Sequence, residues 1–143
     1  MQTLTYNPVL GHITTFGGHP VSCAAGKAAF EVLLGEEWIA EVKEKGRYLK
    51  SKLEHPDILQ INEAGLWISL QFESDTIAQS IAHTCVMNGL ITDWFLFAPD
   101  RLRIAPPLCI SYEELDELIK KLLSSIISGV SATSTIHPTK SAI

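Results

Sequence analysis

Apolar residues return every three to four positions near the C-terminal end of the chain, at Leu115, Leu118, Ile119, Leu122 and Ile126, which puts them on one face of a helix. Ser111-Tyr112-Glu113-Glu114, just ahead of that stripe, has the spacing of a capping box, in which serine and glutamate satisfy each other's backbone amides. A second amphipathic helix is predicted from Trp38, with Trp38, Ile39, Val42, Leu49 and Leu53 near one face. Glu41, Lys43, Glu44, Lys45, Lys50 and Lys52 fall largely on the other, and the helix stops around His55-Pro56-Asp57. "ILQI" and then "GLWISLQF" read as strands. In the second, the period changes to two, with Leu66, Ile68, Leu70 and Phe72 alternating against Trp67, Ser69 and Gln71, and Trp67 is placed to cover a second surface. Ser74 or Asp75 caps a helix carrying Ile77, Ile81 and Cys85, which Asn88-Gly89 ends in a left-handed stop. "WFLFA" and "RLRIA" are two short strands joined across Pro99-Asp100, and Pro106-Pro107 prevents the second from continuing.

Toward the N-terminus a further helix is predicted between Pro20, which supplies the φ of a first helical position, and Gly35, placed to end it. Cys23, Ala24, Ala25, Gly26, Ala28 and Ala29 make it thin enough for another backbone to approach closely. Residues 1–19 carry no helical period and read as extended chain and loop, whereas residues 129–143 are Ser/Thr-rich without a period and read as a flexible tail. The division is therefore 1–19, 20–128 and 129–143. Strands punctuated by helices imply an α/β two-layer unit, a small, mostly antiparallel sheet covered by helices.

A length of 143 residues fits one compact domain plus ends, and 46% hydrophobic with 19% charged residues at net charge −5 fits a soluble globular chain and argues against a nucleic-acid partner. No run reaches the roughly 18 apolar residues of a membrane span. The first residues also lack the pattern of a signal peptide, so the cytoplasm is the expected location and no membrane partner is expected. Cys23, Cys85 and Cys109 are odd in number, widely spaced and set in apolar stretches, which points to buried, reduced core thiols. His12, His19, His55, His83 and His137 show no metal-ligand spacing, so no metal site is expected, and His12 and His19 are read as hydrogen-bonding loop residues.

Two places carry candidate chemistry. Thr14, Thr15, Gly17 and Gly18 set two hydroxyls and a permissive backbone just upstream of a helix N-terminus, where a phosphate is favoured; the same glycines would equally serve a sharp turn into the helix. The lysine and spacing of a Walker loop are absent. Arg103 lies in "RLRIAPPL", a strand end stiffened by two prolines. There a guanidinium either presents a bidentate fork to a carboxylate or covers the sheet edge and pairs with Asp93 or Asp100. Arg101, two residues away on the same face, competes for either role.

Taken together, "HITTFGGHPVSCAAGKAAFEVL", "GLWISL" and "LRIAPPLCISYEELDELI" resemble, in order and spacing, the C-terminal part of the class III pyridoxal-phosphate aminotransferases that include ornithine and acetylornithine aminotransferases. The resemblance covers nearly everything before Gly129 and implies the small domain of a fold type I enzyme. It implies that Thr15 reaches the phosphate of a pyridoxal 5'-phosphate bound mainly by the neighbouring subunit of a homodimer, with Thr14 as a further candidate. By the same resemblance Arg103 binds the substrate's carboxylate and Arg101 falls outside the motif. Two departures stand out: His19 where asparagine is frequent, and Asn62 where the family often has an arginine.

The resemblance begins beyond the part in which the family places its large domain, Schiff-base lysine and pyridine-pairing aspartate. None of Lys27, Lys43, Lys45, Lys50, Lys52, Lys120, Lys121 or Lys140 lies in a segment like that lysine motif. No catalytic residue is therefore assigned within this chain. The expectation is a C-terminal fragment of a transaminase acting on an amino acid or other amine and a 2-oxo acid, inactive alone. The alternative is a non-catalytic binding or assembly module that keeps the small-domain fold.

Overall fold

The period-two stretch is a strand with one dry face. In the computed structural model, which describes residues 15–136, Leu66, Ile68, Leu70 and Phe72 are buried, Ser69 and Gln71 are half-buried, and Trp67 is exposed. The chain divides into two units, Met1–Glu37 and Trp38–Ile143.

In the first unit, residues 15–18 form a turn that leads into α1 (Pro20–Gly35). Pro20 opens the helix as expected, and the Glu36 amide closes its last turn on the Val32 carbonyl at 3.2 Å. No side chain of α1 is buried. Residues 1–14, including Thr14 and His12, lie outside the described residues.

The second unit runs α2 (Trp38–Lys52), β1 (Gln60–Ala64), β2 (Trp67–Gln71), α3 (Asp75–Met87), β3 (Asp93–Phe95), β4 (Ala98–Ile104) and α4 (Tyr112–Ile136). Its four strands form one sheet in the order β1-β2-β4-β3, with every neighbouring pair antiparallel. Ile68 and Leu70 of β2 and Leu102 and Ile104 of β4 supply the inner face. Ala78, Ile81, Ala82 and Cys85 of α3, with the predicted stripe Leu115, Leu118, Ile119, Leu122 and Ile126 of α4, complete the core, joined by Leu49 of α2 and by Leu53 just beyond it. Burial of each large side chain of this set stabilises the fold by about 1.5–3 kcal/mol.

Local chemistry accounts for the element ends. Ser74 accepts from the Ile77 amide at 3.3 Å, so it rather than Asp75 caps α3, and Gly89 with φ 74° ends that helix. The capping box is complete: Glu114 N–H donates to Ser111 Oγ at 3.1 Å and Ser111 N–H to Glu114 Oε2 at 2.8 Å. β1 and β2 are joined by Gly65-Leu66, with Ala64 opposite Trp67 and Gly65 at φ 63°. Gly46 of α2 is buried against this turn, and a Cβ there would come within 2.2 Å of the Gly65 carbonyl oxygen.

Several expectations are corrected. The β3–β4 turn is at Leu96-Phe97, not Pro99-Asp100. Trp94 pairs with Leu102 but Phe95 with Ala98, so the intervening residues of β4 bulge, and Pro99 sits there without breaking a ladder bond. Lys45 belongs to the buried side of α2, where its ammonium reaches Glu41 at 2.7 Å, while Ile39 is exposed. The chain beyond Gly129 is not a tail from that point: α4 continues to Ile136 because Gly129 packs directly on Ile81 and its carbonyl accepts from Ser80 Oγ at 2.9 Å. Residues 137–143 lie outside the described residues. Cys85 is buried as expected, but Cys23 and Cys109 are exposed, the first on α1 and the second in the loop between Pro107 and Ile110. Among the described residues, no helix is long and apolar enough to cross a membrane.

Burial pushes the Cys85 thiol up from its ordinary value. Ellman's reagent at pH 8 should therefore titrate two thiols of the native chain quickly and the third only after denaturation; three fast thiols would show that α3 does not pack as described. Gly46→Ala should destabilise the second unit by about 1–3 kcal/mol in urea titration, because the backbone of the Gly65 turn cannot step aside cheaply. Wild-type stability in that variant would contradict the close approach.

Candidate functional site

The pleat that buries Leu102 and Ile104 turns Arg101 and Arg103 to the opposite face of the sheet. Register then builds two rows across that face. Asn62 lies opposite Ser69, Ser69 opposite Arg103 and Arg103 opposite Asp93, while Gln60 lies opposite Gln71 and Gln71 opposite Arg101. The arginines are neighbours in sequence and in space, yet their partners differ in kind.

Arg101 is absorbed by the sheet. Its Nη2 donates to Gln60 Oε1 at 3.0 Å and Gln71 Oε1 at 2.9 Å, its Nη1 lies 3.4 Å from Ser69 Oγ, and Gln71 Nε2 turns on to Asp100 Oδ2 at 2.9 Å. One guanidinium thus ties β1, β2 and β4 together. The Arg103 side chain makes a single hydrogen-bonded ion pair among the described residues, from Nη2 to Asp93 Oδ2 at 2.5 Å. Of the two carboxylates expected as alternatives, Asp93 is its partner. The Arg103 carbonyl accepts from Thr92 Oγ1. Its Nε and Nη1 carry no protein partner among the described residues, and Asp93 takes one of the two N–H groups of Nη2, so one planar fork, Nη2 with Nε or with Nη1, remains open to a carboxylate. Asn62 accepts from Gln60 Nε2 at 3.2 Å and lies in the same cross-strand row as Arg103. The departure noted at that position therefore falls on the candidate face.

Thr15 belongs to the first unit, in the turn before α1, where Gly18 takes φ 80° and the His19 amide donates to the Phe16 carbonyl at 3.1 Å. The His19 side chain makes no capping bond, and the first turn of α1 holds no acidic residue. An exposed hydroxyl ahead of a helix N-terminus with neither a side-chain cap nor an acid fits one contact to an anionic phosphate. Thr15 and Arg103 sit in separate units, each described on its own. Among the described residues, no cluster of His, Cys, Asp and Glu could hold a metal ion.

Sequence reading missed two parts of this face: the clamp on Arg101 by Gln60 and Gln71, and the bond from Thr92 to Arg103. Both depend on register, and for β3 that register is altered by the bulge. It also missed a cavity of about 370 Å³ at the end of the sheet, lined by Leu90, Thr92, Pro106, Ile110, Glu114 and Lys121 among others.

Comparisons with known proteins show the family. Residues 2–126 match the family described as Aminotransferase class-III, and the chain belongs to that family. It is 36% identical over 116 residues to ornithine aminotransferase 2 of Staphylococcus saprophyticus, covering 79% of this chain and 28% of that protein. Acetylornithine aminotransferase of Haemophilus ducreyi is 33% identical over 118 residues, covering 82% and 29%. Among solved structures, acetylornithine aminotransferase from Elizabethkingia anophelis superposes with a TM-score of 0.70 at 26% identity, covering 82% of this chain and 32% of that one. The ornithine aminotransferase of Toxoplasma gondii superposes at 0.71 with 25% identity, covering 85% and 30%. The chain thus spans less than a third of the length of the curated relatives it matches.

The difference between the two arginines is measurable without any ligand. Arg101→Ala should cost about 1–2 kcal/mol in urea unfolding, since it removes the hydrogen bonds that tie β4 to β1 and β2. Arg103→Ala should cost under about 1 kcal/mol, because its one ion pair is 39% exposed on the arginine and 50% on the aspartate. Equal losses, or the reverse order, would contradict the division of roles.

Proposed function

We propose that these residues form the substrate-carboxylate side of a pyridoxal-phosphate-dependent transaminase that moves an amino group between an amino acid or other amine and a 2-oxo acid. In this reading the chain works with a large domain and a second subunit, in the cytoplasm. The observation that carries the reading is Arg103: an arginine on the sheet face opposite the helices of the second unit, in the segment that matches the family, with Nε, Nη1 and one N–H of Nη2 without a partner among the described residues.

Pyridoxal phosphate, when bound, supplies the electron sink for chemistry at the amino-bearing carbon. The share of this chain is recognition. Arg103 receives the carboxylate through parallel N–H donors and so fixes which way the rest of the substrate points. Arg101, its Nη groups already engaged by Gln60, Gln71 and Ser69, keeps the strand that carries Arg103 in register. Thr15 donates its hydroxyl to a phosphate oxygen, aided by the uncapped start of α1. A cofactor-bearing lysine would come from outside these 143 residues, because none of the lysines here stands in the required motif.

Two experiments test this. The purified chain, incubated with pyridoxal phosphate, reduced with borohydride and weighed intact, should show no stoichiometric label on a single lysine and no transaminase turnover. A single labelled lysine with turnover would overturn the assignment, whereas scattered partial labelling of surface lysines would not. In an enzyme reconstituted with a class III large domain, Arg103→Lys should lower kcat/KM for an α-amino acid by at least roughly tenfold, a difference of ~1.4 kcal/mol. An amine lacking the carboxylate should be much less affected. In the same enzyme, Thr15→Val should weaken equilibrium cofactor affinity by about 1.5–3 kcal/mol; unchanged affinity would leave Thr15 as a turn residue only.

A further inference from the structure

We propose that Asp93 is a positioning residue: it holds the Arg103 guanidinium by one nitrogen so that the remaining N–H donors face an incoming carboxylate. The proposal rests on the reading of Arg103 as the carboxylate anchor. The start of β3 grips Arg103 at both ends. Thr92 Oγ1 bonds its backbone carbonyl, and Asp93, directly opposite in the β3–β4 ladder, takes Nη2. Backbone and guanidinium are thus referred to two consecutive residues, Thr92 just before β3 and Asp93 at its start.

Arginine is a long, rotamer-rich side chain, and an arginine left alone on an open sheet face would have to be ordered by each ligand that binds it. Asp93 meets that ordering cost in advance. Its contact is through a single oxygen to a single nitrogen, which leaves the second N–H of Nη2 beside an adjacent donor, Nε or Nη1, with no other partner among the described residues. A second carboxylate can therefore bind without displacing it. Arg101 cannot take over this task, since Gln60, Gln71 and Ser69 occupy both of its terminal nitrogens. The opposing possibility is that Asp93 competes with the ligand for the guanidinium, and the two ideas predict changes of opposite sign.

The test uses the full ¹⁵N-labelled chain, the Nε–Hε signals of its arginines and sodium propionate as probe. In the wild type the Arg103 Nε should show the heteronuclear relaxation of an ordered side chain and should shift on adding propionate. In Asp93→Ala that order should be lost and the propionate dissociation constant should rise at least about fivefold, the effect expected of lost preorganisation. Asp93→Asn, which keeps an acceptor at the same place, should stay within about twofold of wild type. If Asp93→Ala loses its dispersed backbone spectrum, Asp93→Ser, too short to reach the guanidinium, carries the comparison. Unchanged or tighter propionate binding in the Ala or Ser variant would overturn the proposal. A wild-type Arg103 signal that propionate never moves would instead refute the carboxylate-anchor reading itself.

Discussion

Burial of Ile68 and Leu70 beside Leu102 and Ile104, under α3 and α4, is the constraint from which the rest of the second unit follows. A strand that commits alternate residues to a dry core must present the others on its far side, and a slip by one residue would exchange the two sets. Once Leu102 and Ile104 are inside, Arg101 and Arg103 have no freedom about which face they occupy. The helices of the second unit all contribute to one side. The other side carries glutamine, asparagine, serine, aspartate and arginine, with Trp67 and Ala64 at one end of β1 and β2.

On that face, register distributes roles between residues that sequence alone leaves equivalent. Arg101 sits in the row of Gln60 and Gln71, whose amide oxygens occupy it, and so it becomes a brace across three strands. Arg103 sits in the row of Asn62, Ser69 and Asp93, where only Asp93 engages it. Arg103, the residue that the resemblance implies for a carboxylate, is also the arginine of this face whose guanidinium has one side-chain partner among the described residues.

Much of this was legible beforehand, and the exceptions have physical causes. The stripe on α4, the alternation in β2 and the capping box at Ser111 depend on period and local hydrogen bonding, which the sequence displays directly. The turn at Leu96-Phe97 carries none of the residues that mark turns, whereas Pro99-Asp100 does, and only the β4 bulge reconciles the two. The extension of α4 past Gly129 depends on a tertiary contact with Ile81 that overrides a weak local preference. Lys45 looked polar by composition, but its stem lies along the buried side of α2 with its ammonium on Glu41. Exposure of Cys23 and Cys109 was hidden because small apolar neighbours suggest a core that neither the surface of α1 nor the loop after Pro107 provides.

If Arg103 anchors a carboxylate on the sheet face opposite the helices of the second unit, ligand contacts gather on that face. Backbone amide shift mapping of the full chain with L-glutamate tests this most directly. The account predicts that the largest shifts cluster at Asp93, Arg103 and Ser69 on the outer rows of the sheet, saturate together, and vanish in the Arg103→Ala variant. Shifts confined to the cavity around Leu90, Pro106 and Lys121, or shifts that persist unchanged without Arg103, would contradict it.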